Sequence, residues 1–323
     1  MDLDHNREDV AHLINVRISS VTEPARDIKV YRLESLDGTP LPPAGAGAHI
    51  DLFLPNGLVR QYSLILKDFE TASFTIAVKR DAASRGGSTY IYDNFRIGDL
   101  VKIGPPRNNF PLEENASHSL LIAGGIGITP IFSMVHRLHK LNKSWELHYA
   151  CRSRLDAAFR DELPAGQPSH VHLDDESAGK FLDLGQIIRS APPEAHLYCC
   201  GPLPMIAAFD EAAAAISDQY KHVEYFTPKE APSQEGGFIV KLARQGITVS
   251  VPPGRTILQA LTEAGISASY SCSEGICGAC ETTVLAGIPD HRDSVLMPDE
   301  QATNKVMMIC CSGSKTEEIV LDL

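Results

Sequence analysis

The sequence between Ser271 and Cys280 reads SCSEGICGAC, which places Cys272, Cys277 and Cys280 in the spacing C-x4-C-x2-C. A fourth cysteine, Cys310, follows nearer the end of the chain. This arrangement is typical of plant-type 2Fe–2S ligation, in which four thiolates hold two irons. The alternatives are a structural zinc site, which favours paired C-x2-C units at both ends, or unliganded core cysteines. Because only one such pair is present, we predict that the four cysteines are cluster ligands.

The remaining cysteines and the chain termini indicate the compartment. Eight cysteines in 323 residues are too few for a disulfide scaffold, so we expect a reducing environment. The first nine residues are polar and acidic, unlike a signal peptide. The most apolar window, residues 119–135, is shorter than the roughly 20 residues needed to span a bilayer. These features predict a cytoplasmic protein that does not cross a membrane.

Length and charge limit the number of domains and the class of partner. A chain of 323 residues exceeds what one core usually serves, so two or three domains are expected. The formal net charge of −12 disfavours nucleic acid and anionic membranes as partners. It is compatible with a protein partner that is basic at its contact surface.

The first third of the chain contains short runs of β-branched or alternating apolar residues. Turn residues such as Asp37-Gly38 separate these runs, a pattern that predicts an antiparallel barrel or sandwich. The predicted strands are 13–20, 28–35, 49–54, 60–66, 73–80 and 99–103.

Two spots in this region carry polar residues suited to a phosphate-bearing ring compound. Arg60, Tyr62 and Ser63 follow one another on a strand, where Arg60 and Tyr62 share a face. The run Arg85–Ser88 precedes a predicted helix at 89–94, so its glycines would expose backbone N–H groups to an anion. Each spot is weak alone, because a solvated strand and a plain turn explain them equally well.

The middle third alternates strands and helices, which predicts a parallel α/β domain. An apolar strand runs into the turn Gly124–Pro130, in which Gly125 and Gly127 fit the dinucleotide fingerprint. Pro130 stands where the third glycine belongs, so the match is incomplete. The helix amides after the turn would suit a pyrophosphate. On a later strand His170 and His172 share a face, which we interpret as a surface pair because no third ligand accompanies them.

The last third follows a polar linker at residues 227–237 that contains two prolines and two glycines. A hairpin, a helix, the cysteine loop and further strands come next, which is the mixed β-grasp order of a plant-type ferredoxin. The tetrapeptide Asp290–Asp293 lies between the third and fourth cysteines. We interpret it as a salt-bridged surface turn.

Taken together, these motifs resemble the ferredoxin–NAD(P)+ reductase superfamily. The resemblance implies that Arg60 and Ser88, with the Gly86 and Gly87 amides, contact a flavin phosphate. Tyr62 and Ser63 would contact the isoalloxazine and ribityl groups. Backbone contacts to the flavin would come from three residues of one strand: Ala77, Val78 and Lys79.

The same resemblance assigns the nicotinamide side. The glycine turn, through Gly125 and Gly127, would approach the pyrophosphate, and Thr129 would touch both flavin and nicotinamide. Phe226 would cover the flavin region. Cys200, Gly201 and Pro202 would lie beside the nicotinamide. Arg152 and Ser153 would lie on the adenosine side.

The chain is identified as a member of the phthalate dioxygenase reductase family, which includes the vanillate demethylase reductases. The Asp290–Asp293 sequence DHRD, the ending Leu321–Leu323 and the domain order carry this resemblance. It implies an FMN-binding β-barrel domain at 1–112, an NAD-binding α/β domain at 113–226, the linker 227–237 and a 2Fe–2S ferredoxin domain at 238–323.

The expected activity follows from that resemblance. The protein would be an NADH-dependent oxidoreductase, the reductase component of a multicomponent oxygenase, with FMN, a 2Fe–2S cluster and NADH as cofactors. It would act as a monomer and dock transiently on a Rieske non-haem iron oxygenase, a ring dioxygenase or an O-demethylase. No catalytic side chain is expected. The alternatives are a reductase for a haem monooxygenase and a protein that only binds or senses. The residues do not fix FMN over FAD, or NADH over NADPH.

Overall fold

The computed structural model describes residues 13–69, 71–82 and 86–323. The predictions that concern residues 1–12 and Arg85 fall outside the described residues. The chain forms two compact units, Leu13–Glu224 and Tyr225–Leu323. Among the described residues, none of the helices combines the length and the apolar character required to cross a bilayer.

The first unit opens with an antiparallel sheet in the order β4-β3-β6-β1-β2-β5. A bridge between Leu64 and Ile76 brings the end of the fourth strand onto the fifth and closes the barrel. All six predicted strands are present, although β1 continues to Ala25, beyond its predicted end at Ser20, and β4 ends at Ser63 rather than at Leu66. Their bounds are β1 Ile14–Ala25, β2 Ile28–Ser35, β3 His49–Phe53, β4 Val59–Ser63, β5 Ser73–Lys79 and β6 Leu100–Ile103.

Side chains inside the barrel form one apolar core that includes Val16, Tyr31, Ile50 and Phe74. The helix α1 (Gly87–Asn94) packs on β5 and inserts the fully buried Ile91 into this core. The antiparallel flavin-type barrel that the sequence predicts is therefore present.

The second sheet of this unit is parallel, in the order β11-β10-β7-β8-β9. Strand order reverses between β7 and β10, which is the switch point where open α/β sheets bind ligands. The strands are β7 Ser119–Gly124, β8 Trp145–Cys151, β9 Ser169–Leu173, β10 His196–Cys200 and β11 Lys221–Glu224. The helices are α2 Ile128–Lys140, α3 Leu184–Ser190 and α4 Leu203–Ala212.

Burial explains the parallel sheet. Strand β7 is buried at every residue, as expected for a central parallel strand covered on both faces. Helix α2 lays Ile131, Met134 and Val135 against one face, where they meet Trp145 of β8. The short helix α3 and strand β11 were not predicted from the sequence.

The second unit contains a mixed sheet in the order β13-β12-β18-β14-β16. Strands β12 and β18 are parallel and the other pairs antiparallel, and a helix packs on β13, as in a β-grasp fold. The elements are β12 Phe238–Leu242, β13 Ile247–Val251, α5 Ile257–Glu263, β14 Glu281–Ala286, β15 Pro289–Asp290, α6 Pro298–Ala302, β16 Val306–Met308, β17 Gly313–Ser314 and β18 Glu318–Leu321.

Helix α5 begins as the sequence predicts. The Thr256 hydroxyl accepts the Gln259 N–H at 3.2 Å, and the Gln259 side chain accepts the Thr256 N–H at 3.0 Å. This capping box fixes the start of the helix that precedes the cysteine loop.

Candidate functional site

The four predicted cluster cysteines lie together in the second unit. Cys272, Cys277 and Cys280 occupy the loop between α5 and β14, and Cys310 follows β16. All four are at most 5% exposed, and all are free of disulfides. Pairing of Glu281 with Met308 in the β14–β16 ladder holds the loop and Cys310 together. The structure therefore brings together thiols that are separated in the sequence.

The thiols interact with one another strongly. Contact with the thiols of Cys277 and Cys310 lowers the pKa of Cys272, to about 2. The same contacts raise the pKa of Cys277 and of Cys310, because each is held as a donor to its neighbour. Cys310 also contacts Cys280. Four buried, mutually contacting sulfurs are a donor set that fits a 2Fe–2S cluster, since the cluster takes four thiolates.

Backbone amides also point at these sulfurs. The Cys272 N–H donates to Cys277 Sγ at 3.5 Å, and the Glu274 N–H donates to Cys272 Sγ at 3.3 Å. The turns that aim the amides need positive φ, which is 72° at Gly275 and 73° at Gly278. A Cβ at Gly275 would overlap Cys311 Sγ, so this glycine also permits close packing beneath the loop.

The segment Asp290–Asp293 is only partly the surface turn that we expected. Arg292 does pair with Asp290 and Glu230, at 2.9 Å each. However, the side chains of His291 and Asp293 are buried. Asp293 Oδ2 accepts the N–H groups of Val295 at 3.2 Å and Leu296 at 2.8 Å, so the carboxylate is held inward by backbone donors.

In the first unit, Arg60 lies over the start of α1. Its Nη1 donates to the Val59 carbonyl at 2.8 Å, and its buried Nη2 has no partner among the described residues. A Cβ at Gly87 would lie 2.6 Å from Arg60 Nε, so the glycine leaves room for the guanidinium. A buried, unsatisfied guanidinium nitrogen beside a helix N-terminus fits the phosphate of FMN.

The other predicted flavin residues lie on β4, on β5 and at the start of α1. Gly86 has φ 88°, and Ser88 Oγ accepts the Asp81 N–H at 3.4 Å. Burial raises the pKa of the Tyr62 phenol. The last three predicted residues form the end of β5, which packs against α1 and contacts β4: Ala77, Val78 and Lys79.

The predicted nicotinamide residues meet at the switch point of the parallel sheet. Gly127 packs on the backbone after β10, where a Cβ would overlap the Cys200 carbonyl oxygen. Gly125 has φ 54° and open space around it. The Thr129 hydroxyl is buried and donates to the Ile126 carbonyl at 3.0 Å. The glycine turn and the Cys200 segment thus meet at one edge of the parallel sheet.

The backbone after Cys200 completes this edge. Pro202 is the N-cap of α4, and Gly201 leaves space for Met205, whose Sδ would lie 2.7 Å from a Cβ there. Helix α4 therefore begins directly beside the glycine turn, and the two predicted segments are brought together.

Three predicted residues lie elsewhere. Arg152 is exposed and follows β8, one strand away from the switch point. Ser153 Oγ donates to Asp156 at 2.6 Å and accepts from Arg26 at 3.0 Å, so its hydroxyl is already engaged. Phe226 stands at the start of the second unit and is 37% exposed.

Glu224 is a candidate functional residue that was not predicted from the sequence. It ends β11 and pairs in register with Cys200. Burial raises the pKa of its carboxyl to about 8, and its buried Oε2 has no partner among the described residues. The Ser63 hydroxyl lies close enough to favour the charged form, without a well-formed hydrogen bond. Because β11 is not predicted from the sequence, the position of this acid at the carboxyl end of a strand gave no signal there.

The carboxyl of Glu224 therefore lies near both the barrel and the parallel sheet, at the edge beside Cys200. Ser63 comes from β4, Cys200 from β10 and Glu224 from β11. Near pH 7 this acid is mostly protonated, so it can donate a hydrogen bond to a bound polar group.

Comparisons with known proteins agree with this arrangement. Residues 240–314 match the model of the 2Fe-2S iron-sulfur cluster binding domain, and residues 121–211 match the oxidoreductase NAD-binding domain. Phenoxybenzoate dioxygenase subunit beta of Ectopseudomonas oleovorans is 49% identical over 96% of this chain and 97% of its own.

Two solved structures have the same fold over nearly all of this chain. Phthalate dioxygenase reductase, described as a modular structure for electron transfer from pyridine nucleotides to [2Fe-2S], matches with a TM-score of 0.71 and 36% identity, over 97% of this chain and 99% of its own. An intact type IV self-sufficient cytochrome P450 monooxygenase matches with a TM-score of 0.89 and 39% identity. That match covers 96% of this chain but only 41% of the longer monooxygenase chain.

The phthalate dioxygenase reductase of Burkholderia cepacia is 37% identical over 96% of this chain and 97% of its own. The full-length match, the order of the three sheets and the gathered cysteines agree with one another. This chain therefore belongs to the phthalate dioxygenase reductase family of oxidoreductases.

Proposed function

We propose that this protein takes electrons from NADH and passes them through FMN and a 2Fe–2S cluster to a Rieske non-haem iron oxygenase. The observation that carries the proposal is the gathering of four buried thiols in the same chain as a parallel sheet with a glycine turn at its switch point. When bound, the flavin converts a two-electron hydride transfer into single-electron steps. The chain itself supplies binding, orientation and electrostatics.

We assign the FMN phosphate and the nicotinamide to two different groups of residues. We assign the phosphate of FMN to Arg60 and the Gly86–Ser88 backbone, because the unsatisfied guanidinium nitrogen lies there. We assign the nicotinamide to the edge formed by Gly127 and Cys200. Glu224 would hold a proton at this edge near pH 7, because burial keeps its carboxyl neutral.

The remaining assignments rest on the family resemblance and on position. They cover the ring and ribityl contacts, the adenosine side and the cluster. These residues are Tyr62, Ser63, Ala77, Val78, Lys79, Gly125, Thr129, Arg152, Ser153, Gly201, Pro202 and Phe226, with Cys272, Cys277, Cys280 and Cys310 as the iron ligands.

We also propose the domain limits 1–112, 113–226 and 238–323, with 227–237 as the linker. The first limit falls between β6 and β7, where one sheet ends and the next begins. We further propose a cytoplasmic monomer that docks transiently on its oxygenase. The free cysteines suit a reducing compartment, and the net charge of −12 suits a basic docking face rather than nucleic acid or membrane.

The proposed last step is downhill. Plant-type clusters lie near roughly −400 mV, whereas Rieske centres lie between about −150 and +300 mV. Electrons would therefore leave the cysteine-bound cluster for the oxygenase spontaneously.

The direct test is reduction of cytochrome c by the purified holoprotein with NADH. We expect rapid reduction that depends on bound FMN and on acid-labile sulfide. A holoprotein loaded with both cofactors that oxidised no NADH would contradict the proposal and leave only a binding role. Parallel assays with NADPH would measure the nicotinamide preference.

A second candidate is a reductase for a haem monooxygenase. The observation that favours it is the 39% identity to part of a self-sufficient cytochrome P450 monooxygenase. Reconstitution distinguishes the candidates: the holoprotein is mixed with a Rieske oxygenase or with a cytochrome P450, and substrate turnover is measured. We expect turnover with the Rieske partner.

A further inference from the structure

Three potential metal ligands converge on one face of the parallel sheet. Glu146 and His148 lie on β8, two residues apart and therefore on the same face. His170 on the edge strand β9 pairs in register with His148 and shares that face. The sequence pairs His170 with His172, but the structure gives His170 different partners from the neighbouring strand.

The donor atoms meet at one point. Glu146 Oε1 lies 2.9 Å from His148 Nε2 and 3.1 Å from His170 Nε2. The two imidazoles stack with centroids 4.7 Å apart and planes tilted by 23°. All three donor atoms lie within 4.8 Å of one another. Both histidines therefore direct the same ring nitrogen at the same carboxylate oxygen.

The spacing and the ligand types suit a divalent transition metal. A tetrahedral ion about 2.0–2.1 Å from each donor separates the donors by about 3.3 Å, a few tenths of an ångström more than the two distances from Glu146 to the histidines. Two imidazoles and one carboxylate are the ligands that Zn²⁺ and its neighbours in the first transition series prefer.

A further histidine, His118, directly precedes β7, the strand that pairs with β8. Its Nδ1 lies 2.8 Å from Ser144 Oγ, and its buried Nε2 has no partner among the described residues. A buried ring nitrogen without a partner is costly, and a metal ion or a bound water would satisfy it.

We propose that Glu146, His148 and His170 form a second metal site, separate from the cysteine cluster, which binds a divalent transition metal of the Zn²⁺ class. The site lies toward the amino ends of β8 and β9, whereas the nicotinamide edge lies at the carboxyl ends of β7 and β10. The metal therefore takes no part in electron transfer. It ties the edge strand β9 to β8 and stabilises the sheet by binding only the folded form.

The test uses holoprotein with FMN and the cluster in place, treated with a chelator that leaves the cluster absorbance unchanged. Zn²⁺ binding is measured by isothermal titration, and thermal unfolding is followed with and without Zn²⁺. The variants are His170→Gln, which lies on the exposed edge strand, and Glu146→Gln. The matched control is His172→Gln, on the same strand and face, because His172 Nε2 lies 2.7 Å from the Lys180 carbonyl oxygen, outside the site.

We expect one Zn²⁺ per chain in the wild type and in His172→Gln, with a higher unfolding temperature when Zn²⁺ is present. Both site variants should bind at least about tenfold more weakly, since even outer-shell changes cost that much. Three results would overturn the proposal: no binding by the wild type, equal binding by His170→Gln, or loss of cluster absorbance in proportion to the Zn²⁺ bound. The last result would mean that the cysteines take the metal.

Discussion

The cysteine site and the Ser63–Cys200–Glu224 site are assembled in different ways. One loop supplies three of the four thiols, and the β14–β16 pair delivers the fourth. The second site draws one residue each from β4, β10 and β11, which belong to two different sheets. The local site therefore depends on a few backbone turns, whereas the distributed site depends on the packing of whole sheets. Substitutions should separate these two kinds of dependence.

The largest expected effect comes from Cys277→Ser. Loss of one of four thiolates should abolish the cluster and lower NADH-driven cytochrome c reduction by at least about 100-fold, equivalent to about 2.7 kcal/mol. Because the residues proposed to hold the flavin phosphate, Arg60 and Gly86–Ser88, lie in the other unit, NADH oxidation with ferricyanide should persist. Acid-labile sulfide and both rates are the measurements. Unchanged cytochrome c reduction would show that the electrons bypass these cysteines.

The next effect tests the turn within the cysteine loop. Gly275→Ala introduces a Cβ at φ 72° that overlaps Cys311 Sγ. We expect lower cluster content and a loss of stability of about 1–3 kcal/mol, from strain and overpacking. Adding Cys311→Ala should recover the packing part but not the strain. Equal cluster content in the single and double variants would mean that the overlap is unimportant.

Gly127→Ala tests the distributed site. Its φ of −60° is helical, so alanine adds no backbone strain and acts only through overlap with the Cys200 carbonyl. We expect a loss of about 1–3 kcal/mol in the free energy of unfolding and a higher KM for NADH, with the cluster intact. Chemical denaturation and steady-state rates measure these effects. Gly45→Ala is the control, because its φ is not positive and a Cβ there meets only Asn108 Nδ2, at an ordinary contact distance of 3.6 Å.

The next test concerns pH and Glu224. Its folded pKa of about 8 lies above the ordinary 4.5, so its contribution to stability is complete below pH 4.5 and is lost as pH rises toward 8. Glu224→Gln should remove that decline, so the variant gains stability relative to wild type as pH rises through this window. Urea denaturation across pH 5–9 measures it.

Glu176→Gln should change the dependence of stability on pH in the opposite direction. Glu176 hydrogen-bonds Arg154, which lowers its folded pKa, so its contribution is lost only as pH falls through that lowered value. Parallel pH profiles for wild type and Glu224→Gln would argue against a neutral buried acid at the ligand edge.

Features that depend on residues close together in the sequence, such as the cysteine loop and single strands, could be predicted. Contacts between residues on different strands could not. The cysteine spacing is itself a local constraint, and alternation decided strands such as β2 and β13. Glu224 was overlooked because its burial depends on the register between β10 and β11. His170 was paired with His172 because strand periodicity shows one strand only, whereas the contact with His148 depends on the neighbouring strand. The inward turn of Asp293 likewise depends on backbone donors at Val295 and Leu296.

The pairing of Glu281 with Met308 has a kinetic consequence. Because β14 starts directly after Cys280 and β16 ends just before Cys310, fraying of this short ladder would move these two proposed cluster ligands apart. The rate at which a chelator bleaches the visible colour of the holoprotein should therefore report how often these strands open. The backbone amides of the β14–β16 ladder should exchange hydrogen for deuterium at a matching rate, because both processes need the same opening. The rate of iron release would then measure local unfolding by absorbance.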